Sequence, residues 1–420
     1  MSDISRTQSS PVSARNKEIL MPDGRKPELL APSGDMETVR TALRFGADAI
    51  YLGGPFMQLR ASSAGFDEKK LAEASEMIHA GGSRMYVTVN SFANNEEIPR
   101  LGEYARFLKD VGADAVIVSD IGAVAEIKQN VPDLEVHVST QANCMNYRAA
   151  KVYYDLGASR IVLARELSLE QIAEIRANTP ADLQLEGFIH GAMCMSYSGR
   201  CLLSAFLAGR SGNRGQCAQT CRWNYYLMEE KRPGEFFKVE ESDQGMTILS
   251  SKEMCCAGIL DRMAAAGICS FKIEGRMRTP FYIGTVVNAY RMLIDGRISA
   301  EQAMDELDTT SHRPFCTGFY LGDPESVASD TSGYVRNTLF VASALKDSAD
   351  GKLLIETRNP FAVGDRLEIL SPGSFGKSFT VESIESEEGE SMQRSAVPMR
   401  RLRINAPDGV KAQDILRKRL

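Results

Sequence analysis

Four cysteines, Cys194, Cys201, Cys217 and Cys221, fall within one stretch from Glu186 to Arg222, separated by six, fifteen and three residues. Gly191, Ser198, Gly199, Gly212, Asn213 and Gly215 interrupt it where a regular helix would not place them. A loop of that kind can wrap several thiolates around one centre. In a reducing compartment the centre is a metal or cluster more often than a disulfide. The spacings do not match zinc ribbons, whose paired ligands usually sit about two to four residues apart. An iron–sulfur cluster held by four thiolates, [4Fe–4S], fits better. The competing reading is a loop of buried, inert cysteines, because free cysteine is commonly a small core residue. Arg200, Arg210, Arg214 and Arg222 lie among or beside the thiols, and no acidic residue follows Glu186 in the stretch. Guanidinium groups there could hold phosphates or carboxylates through paired donors.

The elements that must position this loop follow a strand–helix rhythm from Pro27 onward. ELLAP, DAIYLGG, RMYVTVN, DAVIVSD, EVHVST, RIVLAR and LQLEGFIH read as seven strands, and segments such as EIPRLGEYARFLKDVG between them carry helical periodicity. Gly46-Ala47, Gly112-Ala113 and Gly157-Ala158 read as helix stops. An eighth strand, SFKIEG from Ser270, arrives late. Eight units predict a (β/α)8 TIM-like barrel across 27–294, with an open doubly wound sheet as the rival. The cysteine-rich segment, 191–250, is then an insertion after strand seven, on the face where barrel enzymes build their sites. Residues 1–26 read as a disordered tail and 295–332 as a helical linker with an extended segment, HRPFCTGFYLGD. Short alternating strands from Gly333 to the end predict a small antiparallel β-barrel domain.

The strand ends supply the remaining candidates. Asn90, Gln141, Asn143 and Arg165 are expected to be cofactor-binding. Glu186, His190, Lys272, Glu274 and Arg276, at the ends of strands seven and eight, are expected to be catalytic. Taken singly, each has a duller explanation; Lys272 with Glu274, for example, could be an interior ion pair. His79 and His137 read as structural. Cys256 is an alternative cluster ligand, though packing as a small apolar residue is preferred for it. Neither a G-x-S-x-G elbow nor an H-E-x-x-H pair is present.

The 420 residues carry a formal charge of -6, which argues against a generally basic nucleic-acid coat but not against a local basic face. Without an apolar run long enough to span a membrane, and with nine cysteines and no secretory signal, the chain reads as cytoplasmic.

The run Glu186–Cys194 followed by Gly199-Arg-Cys201-Leu-Leu203-Ser204 resembles the signature of the collagenase-like peptidase family number thirty-two. APSGD near the start and KIEGR at Lys272–Arg276 extend the likeness, and GNRGQCAQTCRW most resembles its branch of prephenate-dependent tRNA hydroxylases. The resemblance implies an iron–sulfur cluster on the four cysteines and prephenate as hydroxyl source. It implies 5-hydroxyuridine at the anticodon's first position as product. The expected partners are therefore tRNA, prephenate and a second copy or a related family member in an oligomer, with no membrane. Ribosomal RNA or a ubiquinone precursor as the substrate, or peptide hydrolysis, are the alternatives. Tyr197, Trp223 and Tyr225 are near enough in sequence to stack on an unpaired base. Arg210, Arg214 and Arg222, with Arg400, Arg401 and Arg403 of the last domain, are expected to meet RNA phosphates.

Overall fold

The computed structural model describes residues 16–59, 65–194, 196–223, 251–322 and 334–420. Strands β1 (Glu28–Pro32), β2 (Ala49–Gly53), β3 (Arg84–Val89), β4 (Ala115–Val118), β5 (Glu135–Val138), β6 (Arg160–Val162) and β7 (Gln184–Ala192) run parallel, each bonded to the next. β8 (Glu253–Cys255) lies antiparallel on the end of β7, with His190 opposite Cys255. β9 (Ser270–Ile273) pairs in parallel with both β7 and β1 and closes the barrel. The eight-stranded parallel barrel expected from the sequence is therefore present, with β9 as its eighth member. Runs such as AVIV in β4 are buried throughout, as strands covered on both faces must be.

Helices α1 (Met36–Arg44), α2 (Glu68–Ala80), α3 (Ile98–Asp110), α4 (Ile121–Asn130), α5 (Tyr147–Asp155) and α6 (Leu169–Ala177) follow β1 to β6 on the outside. Most start on an acceptor side chain: Asp35, Asp67, Asp120, Asn146 and Ser168 each cap the backbone N–H three residues on. The main core lies between strands and helices. Leu30, Ala49, Tyr51, Tyr86, Ala115 and Ile117 form a second cluster inside the barrel. Within the cysteine segment a short α7 (Leu203–Ala208) forms; α8 (Leu260–Ala265) precedes β9, and α9 (Pro280–Ile294) follows it.

One end of the barrel differs from what the sequence predicts. Residues 16–26, expected in a disordered tail, run against the barrel: Ile19 N–H donates to the Ile294 carbonyl and Lys26 pairs with Asp295. That expectation for residues 1–15 lies outside the described residues. The segment read as a helical linker with an extended stretch holds α10 (Ala300–Leu307) and β10 (Phe315–Cys316), as expected, and β10 extends the sheet beside β8.

The C-terminal strands, Thr338–Ala344 to Ile415–Arg419, form an eight-stranded antiparallel sheet and a two-stranded ribbon around their own core. This unit is fastened to the barrel. Arg417 binds both oxygens of Glu306 on α10 at 2.5 and 3.0 Å, and Arg358 reaches Glu37 on α1 at 2.8 Å. Phe340 stacks on Phe281. Among the described residues, no helix is long and apolar enough to cross a membrane.

Candidate active site at the barrel mouth

The cysteine loop is stapled to the ends of the barrel strands. Glu166, just beyond β6, accepts from the Ser198 backbone N–H at 2.8 Å and from its hydroxyl at 3.1 Å. Arg214 donates to the Phe92 carbonyl and to Glu97, both at 2.9 Å. Ser204 Oγ accepts from the Ala218 N–H. Gly199 has φ +71, and a Cβ there would lie 1.9 Å from the Gln141 carbonyl oxygen, so only glycine lets the loop sit this close to β5.

These contacts place Cys194, Cys201, Cys217 and Cys221 on the wall of one cavity of about 300 Å³. Burial pushes the Cys221 thiol up, the Arg222 charge pulls it down, and the other three cysteines push it up again. Among the described residues, no group of three His, Cys, Asp or Glu side chains is close enough to hold a single metal ion. Thiolate sulfurs are soft donors of the kind iron–sulfur clusters take.

Asn90, Gln141, Arg165, Lys272, Glu274 and Arg276 line the same cavity, as do Arg222 and Arg278. Arg276 donates to Thr88 Oγ1 at 2.9 Å and Gln58 Oε1 at 3.2 Å. Arg165 donates to the Ala192 carbonyl at 2.9 Å, with its guanidinium 5.2 Å from the Phe188 ring centre. Asn90 Oδ1 accepts from the Leu59 N–H. Arg278 is committed to Glu253 through two bonds of 2.9 and 3.0 Å. Five cationic side chains face the cavity against one carboxylate, Glu274, among the described lining residues. Lys272 and Arg278 are matched by Glu186 and Glu253 behind the wall, and the cationic excess that remains among the described lining residues favours anions.

Below the floor, inside the barrel, lies a buried ionic network. Lys272 Nζ donates to Glu186 Oε1 at 2.7 Å, and Arg160 donates to Glu186 at 2.9 Å and to Glu28 at 2.6 Å. Ser270 Oγ bridges the two carboxylates. Burial would raise the Glu186 carboxyl, but Lys272 and Arg160 outweigh it and hold it down to about 2. Burial lowers the Lys272 ammonium and Glu186 opposes that. The partner of Lys272 is thus Glu186, not Glu274. Glu186 itself sits beneath the cavity and does not line it.

His190 is turned away altogether. The β7–β9 register slips between Phe188 and His190, so His190 stands opposite Ile273 on the outer face. There it packs against Tyr282, Tyr290 and Phe315, with Nδ1 3.2 Å from the Tyr290 hydroxyl. Burial first, then the nearby His312 and Arg278 charges, holds its imidazole down to about 3. Asn143 also misses the cavity; it closes the short 3-10 turn after β5 at φ 56. Cys256 is fully buried, its N–H on the Ile189 carbonyl, and is not among the cavity residues.

Tyr197 and Trp223 are exposed, and Tyr197 lines the mouth; Tyr225 lies outside the described residues. Arg200, Arg210 and Arg401 are exposed, whereas Arg214 is engaged by Glu97 and Arg403 donates to the Glu387 carbonyl. Tyr51, Thr88 and Ser139 on the cavity wall and Gln58 behind Arg276 are not singled out by the sequence, whereas Thr140, at the end of strand five, lines the wall as its place at a strand end suggests. Thr88 was accessible by strand alternation, two residues before Asn90. Gln58 sits on an irregular loop and carries no such signal.

Comparison with known proteins agrees with this architecture. Peptidase family U32 matches residues 34–330, and the peptidase family U32 C-terminal domain matches residues 336–417. The "tRNA hydroxylation protein P1" of Bacillus subtilis (strain 168) is 33% identical over 404 residues, 94% of this chain and 95% of that protein. The "tRNA hydroxylation protein P" of Escherichia coli (strain K12) is 32% identical over 413 residues, 87% and 91% of the two chains. A "Collagenase" of Porphyromonas gingivalis (strain ATCC BAA-308 / W83) is 33% identical over 338 residues, 76% and 80%. With both of its domains matched in the order the fold displays, the chain belongs to peptidase family U32.

Proposed function

We propose that this chain is a tRNA hydroxylase that forms 5-hydroxyuridine at the wobble position. Prephenate is the hydroxyl source, and Cys194, Cys201, Cys217 and Cys221 hold an iron–sulfur cluster, [4Fe–4S]. One observation carries the reading: four thiols and a set of cations share a single cavity at the carboxyl ends of the barrel strands. Two relatives that match nearly the whole chain and bear tRNA hydroxylation names support the choice of substrate.

A cluster bound there would supply electron-transfer chemistry that side chains lack. The chain's own residues bind and orient. Arg276, fixed by Gln58 and Thr88, and Arg165, fixed by the Ala192 carbonyl, are pre-set to receive the carboxylates of prephenate. Phe188, Tyr51, Ile117 and Val162 give the cavity apolar walls for its ring. Tyr197 at the mouth, and exposed Trp223 next in sequence to the cavity residue Arg222, offer faces on which a splayed anticodon base can stack. The wobble uridine then reaches the cavity from the mouth side, with the reacting atoms away from bulk water.

The peptidase reading finds less support. No histidine lines the cavity among the described residues, and His190 is enclosed against α9 where it cannot serve a peptide bond. Anaerobic purification followed by iron and sulfide analysis and a gelatin assay separates the two readings. Bound iron and sulfide with no gelatin cleavage are expected. Cleavage that survives stringent purification and is lost in Arg276→Met would overturn the proposal.

A further inference from the structure

We propose that Lys272 is a covalent attachment point, its side-chain amine forming an imine with the carbonyl carbon of a 2-oxo acid held in the cavity. Lys272 is the one lysine among the described residues lining that cavity, and it lies on its floor, at the centre of the barrel. Its Nζ is 4.4 Å from the Tyr51 ring centre and 5.7 Å from that of Phe188, so the amine is flanked by aromatic walls and only 4% of the residue is exposed. A lysine confined this way is the kind that reacts with carbonyls, because desolvation and a neighbouring cation both favour the free amine. Burial pushes the Lys272 ammonium down, Glu186 opposes it, and the Arg160 charge adds a smaller push down, leaving it below its ordinary value.

The surroundings supply the other requirements. Glu186 Oε1 accepts from Nζ at 2.7 Å, and the Lys272 charge is the strongest pull holding that carboxyl down, so passing the proton across removes the pull; Arg160 and Ser270 keep the carboxylate in place. Arg276 and Arg165 line the same cavity and can hold the acid's carboxylate while the carbonyl faces the floor. The ammonium lends a proton to Glu186. The free amine attacks the carbonyl carbon, a C–N bond forms, and the π electrons move to oxygen. That oxygen takes one proton from the attacking nitrogen and the one lent to Glu186, then leaves as water. Ammonium and ketone become iminium and water, with no oxidant or reductant consumed.

The amine's reactivity rests on geometry. The choice of a 2-oxo acid rests on the proposed function, since prephenate carries a pyruvyl side chain. The test uses the full chain with prephenate, and in parallel with pyruvate, in the presence of cyanoborohydride, which reduces an imine to a stable amine. Intact mass and peptide mapping should show one adduct per chain, on Lys272, dependent on the oxo acid and absent from Lys272→Met. Mapping on the native chain does not depend on how well the variant folds. No adduct, or adducts spread over exposed lysines and unchanged in Lys272→Met, overturns the inference. Nucleosides of tRNA treated with the same preparation separate the two proposals. Hydroxylated tRNA without an adduct removes the imine alone; an adduct without hydroxylated tRNA keeps the imine and counts against the hydroxylase.

Discussion

Glu166 and Ser198 join the end of a barrel strand to the loop between Cys194 and Cys201: one carboxylate takes both the N–H and the hydroxyl of a serine that is 2% exposed. The loop's position over the cavity therefore depends on a residue outside it. Glu166→Ala leaves those buried donors unpaired, at a cost of about 1–3 kcal/mol. We expect that variant to retain less than about half of its iron after anaerobic purification, because the cost falls on the loop. Full iron and sulfide content in Glu166→Ala would show that the staple does not position the thiols.

The four cysteines should act as a set. Alanine at Cys194, Cys201, Cys217 or Cys221 should each strip most iron and sulfide, while Cys256→Ala, changed in the core away from the cavity, should lower stability and keep the cluster. Metal analysis beside thermal melts checks both halves. The reverse pattern, with Cys256→Ala losing iron and one of the four keeping it, would reassign the fourth ligand.

Acid should destabilise the fold in a definite window. His190 has an ordinary value of 6.5 that burial holds down to about 3, so it stays neutral in the fold while the unfolded chain takes up a proton. The unfolded state then binds more protons, so stability is complete above about pH 6.5 and falls as pH drops toward 3. Buried His137, lowered chiefly by burial, acts in the same direction. Glu186, held down to about 2, contributes stability that is present above its ordinary 4.5 and lost as pH falls through its folded value. Urea unfolding at several pH values should show the decline, and His190→Phe should remove a share on the order of 5 kcal/mol. An unchanged slope in His190→Phe would mean the imidazole is not held neutral.

His190 also shows where the sequence stops being legible. Alternation along LQLEGFIH puts Glu186, Phe188 and His190 on one face, and the first two do point into the barrel. The bulge between Phe188 and His190 cannot be read from side-chain types, and it sends the imidazole to the other side. Alternation gives Glu186 its face but not its depth, because depth follows from barrel register, with Glu186 opposite Ser270 at the start of β9. The barrel itself is readable, since buried parallel strands declare themselves as apolar runs with capped helices between them. The four cysteines are readable too, because glycine and serine spacing marks a wrapping loop. Gln58 is not, since its role comes only from reaching Arg276 across the cavity wall.

Binding of tRNA should depend on the edge of the C-terminal unit nearest α1. Arg358 pairs with Glu37 in the first turn of α1, on the face where β1 ends, and its neighbours Arg400 and Arg401 follow that edge. Charge reversal at Arg400 and Arg401 should weaken tRNA binding several-fold and reduce the log–log salt slope by about one unit for each phosphate the variant no longer neutralises. Point variants are better suited to this than truncation, which would uncover Phe281 and the Glu306 carboxylate. Equal affinity and equal slope in the double variant would remove this edge from the RNA surface.

The most direct measurement is nucleoside mass spectrometry of tRNA from cells lacking this protein, complemented with the native chain, Cys217→Ala or Arg276→Met. The account predicts that 5-hydroxyuridine and its derivatives disappear on deletion, return with the native chain and fail to return with either variant. Unchanged 5-hydroxyuridine in the deletion strain, with no related hydroxylase present to replace it, would contradict the assignment of tRNA hydroxylation to this cavity.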